Sequence, residues 1–173
     1  MNIHNDILTL RALEPTDLDA LYRWENNEEL WHTSATITPY SRKQLWDYIE
    51  NYDGDIFKSR QLRLIIEEIA TKEVVGTIDL YDFDPINRRA YVGILIDPSC
   101  QGRGYGAISL QILESYVKRY IGLHQLIAIV ATTNNNSLKL FEKSNYKKAG
   151  KLIDWLNING EYCDANLYQK VIL

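Results

Sequence analysis

The residues from Gln101 to Ala107 have the composition of a phosphate-binding turn. They read Gln-Gly-Arg-Gly-Tyr-Gly-Ala, between an apolar strand-like segment and an apolar helical pattern. Backbone N–H groups at a helix N-terminus lack intrahelical partners, and the helix dipole adds partial positive charge there. Glycine also removes the Cβ atoms that would keep a ligand away from the backbone. The stretch therefore predicts a site for a phosphate or pyrophosphate group.

Two other phosphate motifs match this turn less well. The order Gly-x-Gly-x-x-Ala also occurs in dinucleotide-binding folds, which need an acid about 20 residues further on to bind ribose. Here the next strand ends in residues 131–134, which contain no carboxylate. A P-loop needs Gly-Lys-Ser/Thr, and this sequence lacks it at the required spacing. The pattern thus argues against a nicotinamide oxidoreductase and against a P-loop nucleoside triphosphatase.

The elements that must position the turn can be predicted from periodicity and turn residues. The helix after the turn is predicted to run to about Tyr120, and Ser41 is predicted as an N-cap of an earlier helix. Gly76 marks a plausible bulge, and Asn159-Gly160 is a hairpin signal. Strands are predicted at seven places: Ile7 to Ala12, Leu62 to Ile69, Val74 to Tyr81, Ala90 to Ile96, Leu126 to Val130, Lys147 to Leu156 and Tyr162 to Val171.

Two motifs at this spacing resemble the GNAT superfamily of N-acyltransferases. Residues 101–106 match its Q/R-x-x-G-x-G/A acyl-CoA loop, and residues 134–143 are similar to its N-x-x-A/S…Y-E-K helix. Residues 10–18 resemble the opening strand and helix of the same family, and residues 158–164 resemble the tail of its branch that holds spermidine N-acetyltransferases and ribosomal-protein N-terminal acetyltransferases. The resemblance implies one domain over residues 1–173 with an α/β (α+β) fold. It also implies a mixed, mostly antiparallel sheet of about seven strands, helices on both faces, and a sheet splayed at the CoA site.

The resemblance implies acetyl-CoA as the acyl donor. Backbone N–H groups of the turn would bind its pyrophosphate, and one strand would pair with its pantetheine arm. Gly93 is expected either to let the acetyl end approach closely or to form a bulge. The residues expected to contact the donor are Ile94, Leu95, Ile96, Gln101, Gly102, Arg103, Gly104, Tyr105, Gly106, Ala107, Asn134 and Ser137.

The usual catalytic groups of that family are replaced in this chain. The general acid is often a tyrosine in the second motif, where this chain has Phe141, and the glutamate of the preceding strand corresponds to Tyr91. Asp79 and Tyr81 share one face of a strand by alternation, so we predict Tyr91 and Asp79 as catalytic residues, with Tyr81 as another donor. The alternatives are an Asp79 paired with an arginine, packed tyrosines, or catalysis by proximity alone.

The acceptor is expected to be a cation. Residues 1–60 hold eleven acidic and six basic side chains. Glu25, Glu28, Glu29 and His32 are predicted to bind the acceptor, because carboxylates beside aromatic rings suit a protonated amine. A polyamine or other small amine is the first expectation, and a protein N-terminus or an aminoglycoside comes after it. A CoA-binding module without catalysis is the rival hypothesis.

The composition argues against nucleic-acid-binding, membrane-spanning, disulfide-rich and metal-binding proteins. The net charge of −4 argues against nucleic acid as the main partner, and no apolar run approaches the roughly 18 residues of a membrane span. Two cysteines and three scattered histidines predict neither a disulfide scaffold nor a metal site, so a cytoplasmic protein without a metal is expected. A homodimer is expected from the resemblance.

Overall fold

The computed structural model describes residues 3–31, 38–158 and 160–172. Seven strands form one sheet in the order β1-β2-β3-β4-β5-β7-β6. The strands are β1 (Leu8–Arg11), β2 (Leu62–Glu68), β3 (Val74–Asp84), β4 (Arg89–Ile96), β5 (Gln125–Ala131), β6 (Lys147–Ile158) and β7 (Glu161–Val171). The α-helices are α1 (Leu18–Glu25), α2 (Glu28–Trp31), α3 (Arg42–Glu50), α4 (Ile56–Ser59), α5 (Tyr105–Tyr116) and α6 (Asn135–Lys143).

The sheet is mixed and mostly antiparallel, as the sequence predicts. Among the strand pairs of the described residues, β4 and β5 alone run parallel. A parallel pair needs a crossover connection. Here α5 provides it, and the glycine turn lies at the start of that crossover.

β4 and β5 separate soon after they pair. Their register covers Arg89, Ala90 and Tyr91 of β4 against residues 125–127 of β5. The rest of β4 continues to pair with β3 on its other side, from Val92 to Ile96. The predicted splay of the sheet is therefore present, and it opens a gap beside residues 92–96.

Helices cover both faces of the sheet. On one face, α5 and α6 bury the larger core, which includes Leu110, Leu113 and Phe141. On the other face, a smaller cluster joins α1 to α3 through Leu21, Trp24, Leu45 and neighbouring side chains. Leu95 of β4 packs against this smaller cluster and also lines the gap between β4 and β5.

The local details confirm several expectations and correct others. Ser41 caps α3 in a capping box with Gln44, and the register shifts opposite Gly76, as a bulge requires. The pairing of Gly93 with Asp79 is continuous, so the bulge considered there is wrong. α5 ends at Tyr116 rather than Tyr120, because residues 117–121 widen into a π-helical turn that closes at Gly122.

Candidate active site

The gap between β4 and β5 forms a cavity of about 640 Å³. One wall consists of β3 and β4, and the opposite wall consists of β5, α6 and the end of β6. Side chains of α1 and α3 contribute to the wall as well. The cavity has the size of a small-molecule site and combines an apolar lining with a few polar groups, which is typical of such sites.

The glycine turn has the backbone conformation that its sequence predicts. Gly102 and Gly104 have φ angles of 80° and 81°, a region in which a side chain is strained. Gly104 is the N-cap of α5 and offers no side-chain cap. The side chain of Gln101 donates to the carbonyl of Ile96 at 3.2 Å, which ties the turn to the end of β4. The turn therefore presents the open helix N-terminus that an anion needs.

Two members of the turn also serve packing. A Cβ on Gly106 would lie 3.1 Å from a methyl group of Leu140, so glycine lets α5 and α6 approach closely. Tyr105 is buried in the core, and its hydroxyl donates to Glu68. Arg103 and Ala107 stay exposed. The side chain of Tyr105 thus points away from solvent. A ligand bound at the turn would therefore contact the backbone of the turn.

Polar groups of α6 lie at the far side of the gap. Asn134 is the N-cap of α6, and its carboxamide oxygen accepts from the backbone N–H of Ser137 at 3.1 Å. Both residues line the cavity, as does Phe141. The Phe141 ring is 3% exposed and packs edge-on against Tyr146, with ring centroids 5.0 Å apart. The position at which the family resemblance implies a tyrosine acid therefore presents only an apolar ring to the cavity.

The predicted catalytic residues share one face of the sheet. Asp79 pairs with Gly93 across β3 and β4, and Tyr81 pairs with Tyr91. The rings of the two tyrosines stack with centroids 5.4 Å apart. Asp79 and Tyr81 line the cavity, whereas Tyr91 lies behind Tyr81. Burial and the neighbouring Asp82 raise the pKa of Tyr81 to about 12, so its hydroxyl stays a proton donor at neutral pH.

Asp79 is paired with an arginine, which the sequence left as an alternative. The Nε and Nη2 atoms of Arg63 each donate to an oxygen of Asp79 at 2.9 Å. The same guanidinium lies 3.4 Å from Glu25 of α1. Although burial opposes the charge of Arg63, the nearby Asp79 carboxylate raises the pKa of the guanidinium. The role of Asp79 as a base stays a prediction, made for a carboxylate that is already in an ion pair.

The predicted acceptor residues do not all reach the cavity. Glu25 lines it, whereas Glu28 and Glu29 are exposed on α2 and do not form its wall. His32 lies outside the described residues. The charged wall is thus built by Glu25 of α1 with Arg63 and Asp79 of the sheet.

Arg63 lines the cavity but was not among the residues that the sequence analysis predicted for the site. Arg63 is a cation inside the apolar run from Leu62 to Ile66, a position that demands a partner. The sequence therefore indicates that Arg63 needs a partner. It does not indicate that the partner is Asp79, because the bulge beside Gly76 displaces the register that a simple hairpin would give.

No cluster of three or more metal-ligating side chains occurs in the described part of the chain. Within the same residues, no helix is long and apolar enough to cross a membrane.

A splayed sheet, a glycine turn before the crossover helix and a cavity in the splay define an acyl-CoA transferase. Residues 8–147 match the acetyltransferase (GNAT) domain model. The chain belongs to the GNAT family and is an acetyl-CoA-dependent N-acetyltransferase.

Known proteins similar to the chain include two acetyltransferases. The spermidine N(1)-acetyltransferase of Vibrio cholerae is 30% identical over 165 residues, which cover 93% of this chain and 91% of that protein. A putative ribosomal N-acetyltransferase of Bacillus subtilis is 26% identical, over 95% of this chain and 91% of that protein. The crystal structure of a Vibrio cholerae spermidine N-acetyltransferase with CoA and spermine is 28% identical over 97% of each chain, with a TM-score of 0.84.

Proposed function

We propose that this enzyme transfers the acetyl group of acetyl-CoA to a primary amine of a linear polyamine, within a ternary complex. The observation that carries the proposal is the cavity itself. It lies in the open gap of the sheet along the end of β4, the strand that leads into the glycine turn, and the carboxylates of Glu25 and Asp79 form part of its wall. The similarity to spermidine N-acetyltransferases over nearly the whole chain supports the same acceptor.

The donor is proposed to lie along the gap. Backbone N–H groups of residues 101–107 are suited to its pyrophosphate, because they surround the open N-terminus of α5. Beyond Tyr91, β4 pairs with β3 but has no register with β5. Its free edge at Ile94, Leu95 and Ile96 is suited to the amide groups of the pantetheine arm, since a strand edge offers unpaired backbone groups. Asn134 and Ser137 face the cavity from α6.

The chemistry needs a neutral amine and a stabilised leaving thiolate. The amine nitrogen bonds to the acetyl carbon, the carbon–sulfur bond breaks, and the proton lost from nitrogen ends on sulfur. Asp79 is proposed to accept the amine proton, directly or through water. Tyr81, with its pKa near 12, is proposed to donate a hydrogen bond to the thiolate, and Tyr91 to hold the Tyr81 ring in place. Holding both reactants in one cavity supplies a further share of the rate.

The test is an acetyl-transfer assay that follows thiol release and the mass of the product. Spermidine, a short peptide and an aminoglycoside are compared at equal concentration. The highest kcat/KM is expected for spermidine. A higher value for the peptide would overturn the polyamine assignment. Tight binding of acetyl-CoA by calorimetry without thiol release on any amine would favour the binding module instead.

We also propose a homodimer in the cytoplasm. Ile153 and Tyr162 lie on the two strands of the β6–β7 hairpin and are 66% and 67% exposed, and exposed apolar surface often marks an interface. The two cysteines are free thiols, which is typical of a reducing compartment. Sedimentation of the wild type should give a dimer, and replacing both apolar residues with serine should shift it toward the monomer. A wild-type monomer would contradict the dimer.

A further inference from the structure

Three charged side chains belong to the described part of the cavity wall: Glu25, Arg63 and Asp79. They form one continuous ion pair system, with Arg63 between the two carboxylates. The system links α1 to the sheet within the wall of the cavity. A polyamine therefore meets two carboxylates and one resident cation.

Arg63 is fixed in this position from several sides. Its Nε and Nη2 atoms contact both oxygens of Asp79 at 2.9 Å, and its Nη1 atom lies 3.4 Å from Glu25. Its backbone N–H donates to the hydroxyl of Tyr52, and its guanidinium carbon lies 5.7 Å from the centroid of the Tyr48 ring. The bidentate geometry is the strong form of this ion pair. An ammonium group of the acceptor does not easily displace an arginine held in this way. It therefore interacts with the two carboxylates and the guanidinium together.

We infer that Arg63 is a specificity-determining residue that limits how many ammonium groups of the acceptor this cavity favours. Two carboxylates and one guanidinium carry a net charge of −1. The reacting amine must be neutral, so this negative charge acts on the remaining ammonium groups of the acceptor, and the guanidinium of Arg63 reduces it. The inference rests on the proposed polyamine activity and assigns the preference among amines to the charge of Arg63.

The inference is tested by four variants, of which two change the net charge of the system and two keep it. Arg63→Gln gives −2, Glu25→Gln gives 0, and the double variant returns to −1 with neither original side chain. The measured quantity is the ratio of kcat/KM for 1,4-diaminobutane to that for butylamine, which differ by one ammonium. The expected order is Arg63→Gln highest, wild type and double variant about equal, and Glu25→Gln lowest. Each step should change the ratio about fivefold, as a half-buried charge pair does.

The fourth variant, Arg63→Lys, separates charge from shape. Lysine keeps the cation and loses the bidentate contact, so the ratio should stay near the wild-type value even where the rate falls. Thermal melting and acetyl-CoA binding report whether each variant is folded. If Arg63→Gln does not fold, the other two single variants test the inference. An unchanged ratio of kcat/KM in Glu25→Gln would overturn it, and so would a changed ratio in Arg63→Lys.

A binding measurement keeps the inference distinct from the proposed function. Calorimetry of the two amines on the CoA-loaded enzyme should follow the same order whether or not acetyl is transferred. If no amine is acetylated while the order holds, the proposed function is wrong and the charge rule stands. If amines are acetylated while all variants share one ratio, the function stands and the role of Arg63 is wrong.

Discussion

The indole N–H of Trp24 donates a hydrogen bond of 2.7 Å to a carboxylate oxygen of Asp97. Trp24 is buried in α1 and lines the cavity. Asp97 follows β4 directly, and its other oxygen accepts from the backbone and side chain of Ser99. The bond therefore joins the helix on the acceptor side to the segment that leads into the glycine turn.

Replacing Trp24 with phenylalanine keeps an aromatic ring and removes the donor. We expect a loss of about 1.5–3 kcal/mol in the free energy of unfolding, the range for a hydrogen bond to a charged group. Acetyl-CoA should also bind more weakly, because Asp97 loses the contact that holds the start of the turn. Urea unfolding and calorimetry measure the two effects. Trp46→Phe is the matched control, since Trp46 is 43% exposed on α3. Equal values for both variants would contradict this role.

The same carboxylate gives stability a dependence on pH. Although burial opposes it, hydrogen bonds from Ser99 and Trp24 lower the pKa of Asp97 in the folded protein. A carboxylate whose pKa is lower in the folded state than in the unfolded state adds to the free energy of unfolding. This contribution is fully present above the pKa of the unfolded state, about 3.9, and is lost as the pH falls through the pKa of the folded state. The stability difference between wild type and Asp97→Asn should thus shrink as pH falls from about 5 toward 3. Urea unfolding at each pH measures it, with Asp6→Asn as an exposed control. A constant difference would contradict the linkage.

Gly76 is expected to tolerate no side chain. A Cβ at this position would lie 2.1 Å from the backbone carbonyl oxygen of Leu95, and backbone cannot move aside as a side chain can. Gly76→Ala should therefore destabilise the fold by more than about 3 kcal/mol, which places it among the most damaging substitutions. It should also disturb the strand proposed to bind pantetheine. Thermal unfolding tests this, and Gly150→Ala is the control, because a Cβ there meets nothing within 4 Å. Similar melting temperatures for the two variants would contradict the close approach.

Much of the fold could be predicted because its signals are local. The seven strands, the Ser41 cap and the left-handed Asn145 after α6 all follow from alternation or single residues. The end of α5 could not be predicted, since the apolar spacing continues through Tyr120 while the backbone widens into a π turn. Val117, at the start of this turn, is fully buried in the core, and such a tertiary contact cannot be read from the local sequence.

The catalytic assignments are tested by removing single functional groups. Asp79→Asn keeps the shape of the side chain and should lower kcat/KM tenfold or more, because a positioned base contributes about a hundredfold or more. Tyr91→Phe keeps the ring that stacks on Tyr81 and should change kcat/KM less than tenfold. An unchanged kcat/KM in Asp79→Asn would show that Asp79 is not the base. Tyr81→Phe should lower kcat as well. Since the pKa of Tyr81 is about 12, its deprotonation should not reduce kcat below about pH 10 in the wild type.

The site was harder to predict than the fold, because its polar groups meet across strands. The sequence placed Asp79 and Tyr81 on one face, and the structure agrees. It could not show that Arg63 lies opposite Asp79, because that pairing depends on the register beyond a bulge. Nor could it show that Glu28 and Glu29 are directed away from the cavity, because the orientation of α2 depends on its packing against α1.

Phe141 offers a gain-of-function test of the missing acid. Its ring lines the cavity and stacks near Tyr168, with centroids 6.4 Å apart. Phe141→Tyr introduces the tyrosine that the family resemblance implies at this position, and we expect kcat to rise about tenfold, below the usual hundredfold effect of a positioned acid since Tyr81 is already present. Burying the new hydroxyl should cost about 1–3 kcal/mol in stability.

The control for this variant is Phe83→Tyr, which adds a hydroxyl to a ring that is 5% exposed and outside the cavity wall. It should lose stability without a gain in kcat. In the background of Tyr81→Phe, the gain from Phe141→Tyr should become larger, because the two hydroxyls serve the same leaving sulfur. Steady-state kinetics on the four combinations measures the coupling. Strictly additive effects would mean that the two positions act on different steps, and the assignment of Tyr81 to the thiolate would be wrong.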